Sequence, residues 1–195
     1  MLAPLPPGSP DEGSLRTWCA QIRASDHGAY RAVFEALHPD LLRYALRFTD
    51  NHAAAQDVVQ DAFLKLWQIR ADLDPARSMK SLLYRIVRNL SLNQNRHEQR
   101  MDAIESEADL PPAGGDGSAE LLDGAQLSDQ LDRWVQGLPP RRREAFLLSR
   151  LHDLTHEDIA AVMGLTPTTV NTHIVLALRD LRAYLDRLDV AYRAS

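Results

Sequence analysis

The chain has 195 residues, 45% hydrophobic and 25% charged, with a formal net charge of −5. That is room for one large or two small domains of an ordinary soluble class. Its single cysteine, Cys19, excludes an internal disulfide and a cysteine-rich metal site, and no stretch is apolar enough to cross a membrane.

The start, MLAPLPPGSPDEGS, lacks the positive n-region and apolar run of a signal peptide. The chain therefore reads as a protein of the reducing cytosol. Aromatics are only 6% of the residues, while Leu, Ala and Arg abound, which favours helix over sheet. The Pro, Gly and Ser of the start predict a disordered arm over residues 1–24.

Residues 25–100 carry a small positive excess and three successive helical patterns. HGAYRAVFEALHPDLLRYALRFT sets Tyr30, Val33, Phe34 and Leu37 on one stripe, followed by Leu41, Leu42, Ala45 and Leu46, with Pro39 as a bend or a new start. DNHAAAQDVVQDAFLKLWQIRADL sets Val58, Ala62, Leu66 and Ile69 on its core stripe, beside Val59, Phe63 and Trp67. Its other face offers Gln56, Asp57, Gln60, Asp61, Lys65 and Gln68, and Asp50 or Asn51 caps its start. After the loop LDPARS comes MKSLLYRIVRNLSLNQNRHEQR, whose inner face is Leu82, Leu83, Ile86, Val87 and Leu90. From Arg77 to Arg100 the bases Arg77, Lys80, Arg85, Arg88, Arg96 and Arg100 face one acid, Glu98, among several amides. Cations for phosphates and amides for base edges suit nucleic acid; an ordinary helical core with a solvated basic face would show the same composition.

Residues 101–130 hold eight acids, no base, two prolines and several glycines. They cannot bury enough surface to offset chain entropy and read as a flexible acidic linker. Beyond it, GLPPRRREAFLLSRLHD starts a helix at its prolines, with Ala145, Phe146, Leu148 and Leu151 facing a core. Thr155 with Asp158 is a capping-box variant opening HEDIAAVM. Gly164 ends that helix, Thr166 caps the next, and Pro167 takes its first position. Ala160, Gly164 and Val170 stand where a helix-turn-helix needs a small packing residue, a turn glycine and an apolar anchor. The recognition helix buries Val170, Ile174, Ala177, Leu178 and Leu181 and exposes Thr168, Thr169, Asn171, Thr172 and His173. It carries no Lys or Arg before Arg179, and Arg141, Arg142 and Arg143 supply charge elsewhere in the domain. The expected architecture is all-α: two small helical domains, 25–100 and 131–190, joined by the linker.

An enzyme is not indicated. There is no glycine-rich phosphate loop and no G-x-S-x-G. His152 and His156 have metal-ligand spacing, but Thr155 starts a helix between them, so their rings need not share a face. Cys19 reads as a buried or incidental thiol rather than a nucleophile, and Trp67 and Trp134 as core rather than base-stacking residues.

AQDVVQDAFLKLW, SLLYRIVRNL and LPPRRREAFLLSRLHDLTHEDIAAVMGLTPTTVNTHIVLALRDLR occur here in an order and spacing that resemble bacterial RNA polymerase sigma factors of the extracytoplasmic-function group. The resemblance implies that 25–100 is sigma region 2, which recognises and melts the minus-ten element, and that 131–190 is region 4, which reads the minus-35 element. It implies a linker threaded into the polymerase RNA channel, a place at the nucleoid, and no cofactor or metal. Carried over by position, Asp57, Gln60, Asp61 and Lys65 would dock on the β and β′ subunits of core polymerase. The loop around Asp72, Arg77 and Ser78 would hold a flipped base. Lys80, Arg85, Arg88, Asn89, Asn93 and Arg96 would line the minus-ten DNA. Arg143, Thr155, Thr166, Thr168, Thr169, Asn171, Thr172 and His173 would meet the minus-35 DNA. The family also implies an anti-sigma partner covering the docking face or wedged between the domains, and no membrane insertion.

The chain departs from the family at Leu82, where a Trp is usual, and at Asn171, His173 and Leu176, where many members carry Lys or Arg. The TVNTHIVLAL form is similar to members tied to iron uptake and outer-membrane signalling. A nearly neutral recognition helix suffices if the polymerase supplies most phosphate contacts, and the acidic linker suits a basic channel. Two other readings compete: an autonomous helix-turn-helix regulator, which would need a dimer interface, and a sigma-like adaptor that does not read DNA.

Overall fold

The computed structural model describes residues 10–105, 131 and 133–193, and for 95–105 and 187–193 only the course of the backbone. All regular structure among the described residues is helical. The chain divides into two units, one holding α1–α4 and the other α5, α6, α8 and most of α7. The elements of the first are α1 (Glu12–Arg23), α2 (His27–Ala45), α3 (His52–Gln68), the 3₁₀ turn η1 (Arg70–Asp72) and α4 (Met79–Glu105). Those of the second are a short α5 over 133–137, α6 (Pro140–Arg150), α7 (His156–Met163) and α8 (Pro167–Arg193).

The expected arm over 1–24 is corrected at α1. Asp11 caps this helix, its Oδ1 accepting from the Ser14 amide at 2.7 Å. Leu15, Cys19 and Ile22 recur at helical spacing and are all buried against α2 and α4. Burying those side chains outweighs the Pro- and Gly-rich composition just upstream. The α1–α2 connection turns at Ser25, whose φ of +66° lies in the left-handed region. The Asp26 amide donates to the Gln21 carbonyl at 3.0 Å there, and the Asp26 carboxylate then caps α2.

Pro39 does not break α2, which runs through it with the ring on the exposed side. The core of this unit adds Tyr44 and Tyr84 to the aromatics expected on the stripes. Tyr44 and Tyr84 are buried 5.1 Å apart, and Phe34 and Phe63 meet at 4.8 Å. Leu83 and Val87 are buried as expected, whereas Leu82, Ile86 and Leu90 are half-buried. Trp67 is held at the edge of the core, stacked on His27 at 4.6 Å and covered by the Arg70 guanidinium at 4.6 Å. Helix α4 continues to Glu105, five residues into the expected linker 101–130; the linker's remainder, 106–130, lies outside the described residues.

In the second unit, α6 packs on α8. Ala145, Leu147 and Leu148 are buried on α6; Phe146 is half-buried, edge-on to Trp134 at 5.4 Å. Thr155 caps α7 as expected: the Asp158 amide donates to Thr155 Oγ1 at 3.1 Å, and the Asp158 carboxylate accepts from the Thr155 hydroxyl at 2.9 Å. Gly164 has φ +65°, and the Leu165 amide donates to the Ala160 carbonyl at 3.0 Å, the bond that closes a helix through a left-handed residue. Thr166 Oγ1 then accepts from the Thr169 amide at 3.2 Å and starts α8 at Pro167. Among the described residues no single helix is long and apolar enough to cross a membrane.

Candidate polymerase and nucleic-acid interface

Helix α3 sorts its residues cleanly. Val58, Val59, Ala62, Phe63 and Leu66 are buried, and Asp57, Gln60, Asp61 and Lys65 are all exposed. The four share one face, because they recur at three- and four-residue steps. Among them stands Leu64, 54% exposed, which the sequence reading left out. It is the one large apolar side chain among these exposed polar ones.

The loop between η1 and α4 is pinned at both ends by buried Leu73 and Met79. Between these anchors Asp74, Ala76 and Arg77 are exposed, and Asp72, the last residue of η1, is exposed just before them. Asp74 organises the turn, accepting from the Ala76 amide at 3.0 Å and lying 3.5 Å from Arg77 Nε. Ser78 caps α4, accepting from the Ser81 amide at 3.1 Å, so its hydroxyl has a structural task at the position where a base contact was expected. On α4, Arg85, Asn89 and Asn93 are exposed at four-residue intervals, and Arg88 is half-buried beside them. Lys80 is only 9% exposed and is not brought onto that stripe. The Arg96 side chain lies outside the described residues.

The second unit uses its arginines internally. Arg143 donates to Gln136 Oε1 at 3.0 Å, to the Leu138 carbonyl at 3.0 Å and to the Gln136 carbonyl. It therefore satisfies the carbonyls that the end of α5 leaves open. Arg142 reaches across to the Asp180 carboxylate on α8. Arg141 is exposed. Thr155 and Thr166 are engaged as helix caps, and Thr169 Oγ1 sits 2.9 Å from Thr166 Oγ1. Thr168, Asn171 and Thr172 are exposed on the first turns of α8, and His173 is half-buried. Val170, Ile174 and Ala177 anchor the opposite side, while Leu178 is 37% exposed rather than buried.

His152 is buried and His156 opens α7, with Asp153 at φ +47° between them. Among the described residues no group of three His, Cys, Asp or Glu is placed to hold a metal ion. Cys19 is buried, and its thiol is pushed up from its ordinary pKa first by burial and then by the Asp74 carboxylate, with Arg23 opposing.

A sigma-70 region 2 family model matches residues 33–101, covering most of α2, all of α3 and most of α4; a sigma-70 region 4 model matches 128–181, from α5 into α8. The chain is 29% identical over 177 residues to the ECF RNA polymerase sigma factor SigE of Mycolicibacterium smegmatis, a match covering 90% of this chain and 64% of that protein. It is 25% identical over 180 residues to the ECF sigma factor RpoE of Cereibacter sphaeroides, covering 90% of this chain and 98% of the relative. Among solved structures, CnrH in complex with the cytosolic domain of CnrY superposes with a TM-score of 0.63 at 23% identity, covering 89% of this chain and 98% of that one, a likeness of fold. With both regions matched in order and each laid on its own helical unit, the chain belongs to the sigma-70 family of RNA polymerase sigma factors, in its extracytoplasmic-function group.

Proposed function

We propose that this sigma factor docks on core RNA polymerase through the exposed face of α3, opens the minus-ten element along α4 and the loop before it, and reads the minus-35 element with α8. The observation that carries the reading is the pattern of exposure on α3: Asp57, Gln60, Asp61 and Lys65 stand together on a solvent face with Leu64 among them. The opposite side of the same helix is core.

On α4 the working set is Arg85, Arg88, Asn89 and Asn93, with Asp72 and Arg77 on the loop; Arg96 extends the stripe by sequence. On α8 it is Thr168, Asn171, Thr172 and His173. Thr155, Thr166, Thr169 and Ser78 act as helix-start residues whose amide-rich ends face the DNA, where backbone N–H groups receive phosphate. Arg143 holds α5 against α6, and Lys80 supports α4 from inside. The acidic segment 101–130 carries no base and suits a cation-lined channel of the polymerase, which would make the free chain a poor DNA binder. The protein is a transcription initiation factor rather than an enzyme, and it acts at the nucleoid.

An anti-sigma protein is its expected regulator, as the anti-sigma factor NepR is found with the sigma factor RpoE of Bartonella quintana. It would cover the α3 face and so compete with the polymerase. The experiment is size-exclusion chromatography of the pure chain with bacterial core polymerase, followed by run-off transcription. One-to-one co-elution with promoter-dependent transcripts is expected. Separate elution of a folded chain overturns the reading in favour of an autonomous regulator or an adaptor.

A further inference from the structure

Val175 is 53% exposed on α8. A single exposed apolar residue is ordinary; its position is what matters. At 100° per residue, Val175 lies at the centre of the solvent face, with Thr168, Asn171 and Thr172 on the N-terminal side and Arg179 and Arg182 on the C-terminal side. The buried residues Val170, Ile174 and Ala177 lie on the opposite side of the helix. A β-branched residue at an exposed helical site has lower helix propensity than Lys, Glu or Ala, so the isolated unit gains nothing from it.

A second observation concerns Thr172, one turn before Val175. Its hydroxyl donates to the Thr168 carbonyl at 3.0 Å, so its only hydrogen is used inside the helix. The centre of the face therefore lacks a free hydroxyl donor and presents methyl groups. The span from Thr168 to Val175 is about 10 Å at the α-helical rise, within the length of helix that a major groove about 12 Å wide admits. Arg179, with a side chain 71% exposed, follows one turn later, where a groove edge would bring phosphate.

We infer that Val175, with the methyl of Thr172, reads the 5-methyl group of a thymine in the major groove of the upstream promoter element. Of the four standard DNA bases only thymine offers a methyl there. The inference rests on α8 being the recognition helix and names the chemistry it recognises.

The test uses the full chain assembled with core polymerase, on a promoter duplex selected with that holoenzyme. Each thymine of the upstream element is replaced singly by deoxyuridine, which deletes only the methyl group. Wild-type holoenzyme is expected to bind about fourfold more weakly at one position, the transfer worth of one methyl. Val175→Ala is expected to bind the parent duplex more weakly by a similar factor and to show no further loss with deoxyuridine at that position. The site is exposed and Ala has the higher helix propensity, so helicity and the thermal midpoint should be unchanged or slightly raised. Equal deoxyuridine penalties for wild type and Val175→Ala, or no methyl-sensitive position at all, overturn the inference and leave α8 as a DNA reader. Indifference of the holoenzyme to every base change in that element overturns the recognition-helix reading itself.

Discussion

The two units both contain basic helices, and they use them in opposite ways. On α4, Arg85 is exposed and in line with Asn89 and Asn93. In the second unit, the densest cationic run of the chain, Arg141 to Arg143, is largely turned inward: Arg142 pairs with Asp180 and Arg143 closes the end of α5. The difference teaches that a run of like charge describes a surface only after its partners are known. An arginine near a helix end has carbonyls within reach, and hydrogen bonds to a charged donor are among the stronger ones available. The first turns of α8, which carry no Lys or Arg before Arg179, accordingly present mainly neutral groups to solvent.

The largest expected effect lies on α3, which belongs to neither basic surface. Leu64→Asp places a charge at the centre of the exposed face and is expected to weaken binding of core polymerase by about 30-fold or more, the scale of an interface hot spot. Asp61→Lys reverses a charge beside it and is expected to cost about tenfold. Titration of labelled core polymerase reads both. If both variants bind core polymerase as wild type does, α3 is not the docking face.

Next comes the test that would break the comparison itself. Arg143→Ala is expected to destabilise the second unit by about 2 kcal/mol, because acceptors at the end of α5 lose a charged donor. Arg141→Ala, at an exposed position, is expected to change stability by less than about 0.5 kcal/mol. A double-mutant cycle on Arg142 and Asp180 should return a coupling of about 1 kcal/mol for this partly exposed pair. Urea unfolding followed by hydrogen exchange in α5–α8 measures all three. Should Arg143→Ala keep full stability while losing minus-35 binding, Arg143 is a DNA contact and the contrast between the units disappears.

A smaller effect sharpens the contrast from the other side. Arg85→Ala on α4 is expected to lower the slope of log affinity against log salt by about 1 for holoenzyme on promoter DNA. Thr168→Ala on α8 is expected to leave that slope unchanged and to alter base preference. Equal slopes for the two variants would mean that α4 meets no phosphate.

Much of this was legible in the sequence because local chemistry and tertiary packing agree. The Thr155–Asp158 box, the Gly164 turn and the Thr166–Pro167 start are short-range devices, and each forms as its residue types require. The α3 stripe was legible for the same reason. The missed features are those that a distant partner decides. Helix α1 was hidden by the composition before it, although Asp11 and the spacing of Leu15, Cys19 and Ile22 signalled it. Lys80 and Tyr84 are drawn inward by the packing of α4 on α2 and α3, which one helix's periodicity cannot show. Arg142 and Arg143 found partners 38 and seven residues away, and only the fold brings these together. Leu64 and Val175 lie off the core stripes and outside the polar sets, and both face outward.

The smallest expected effect concerns pH and belongs to the first unit. His38, tilted against Phe34 at 4.8 Å, has its pKa lowered from 6.5 by burial. A lowered folded value means that the unfolded chain takes up the proton first as pH falls. Above pH 6.5 the imidazole is neutral in both states and its contribution to stability is fully present. Below pH 6.5 that contribution declines, and it levels off once pH drops past the folded value. His38→Phe keeps an aromatic ring beside Phe34 and removes the titration. Its stability, relative to wild type, is therefore expected to rise between pH 7 and pH 5, with the change confined to the unfolding of α1–α4. The reverse sign, with wild type gaining on the variant as pH falls, would mean that a carboxylate stabilises the charged imidazole; Glu35 and Asp40, on the same helix, would be the first to replace.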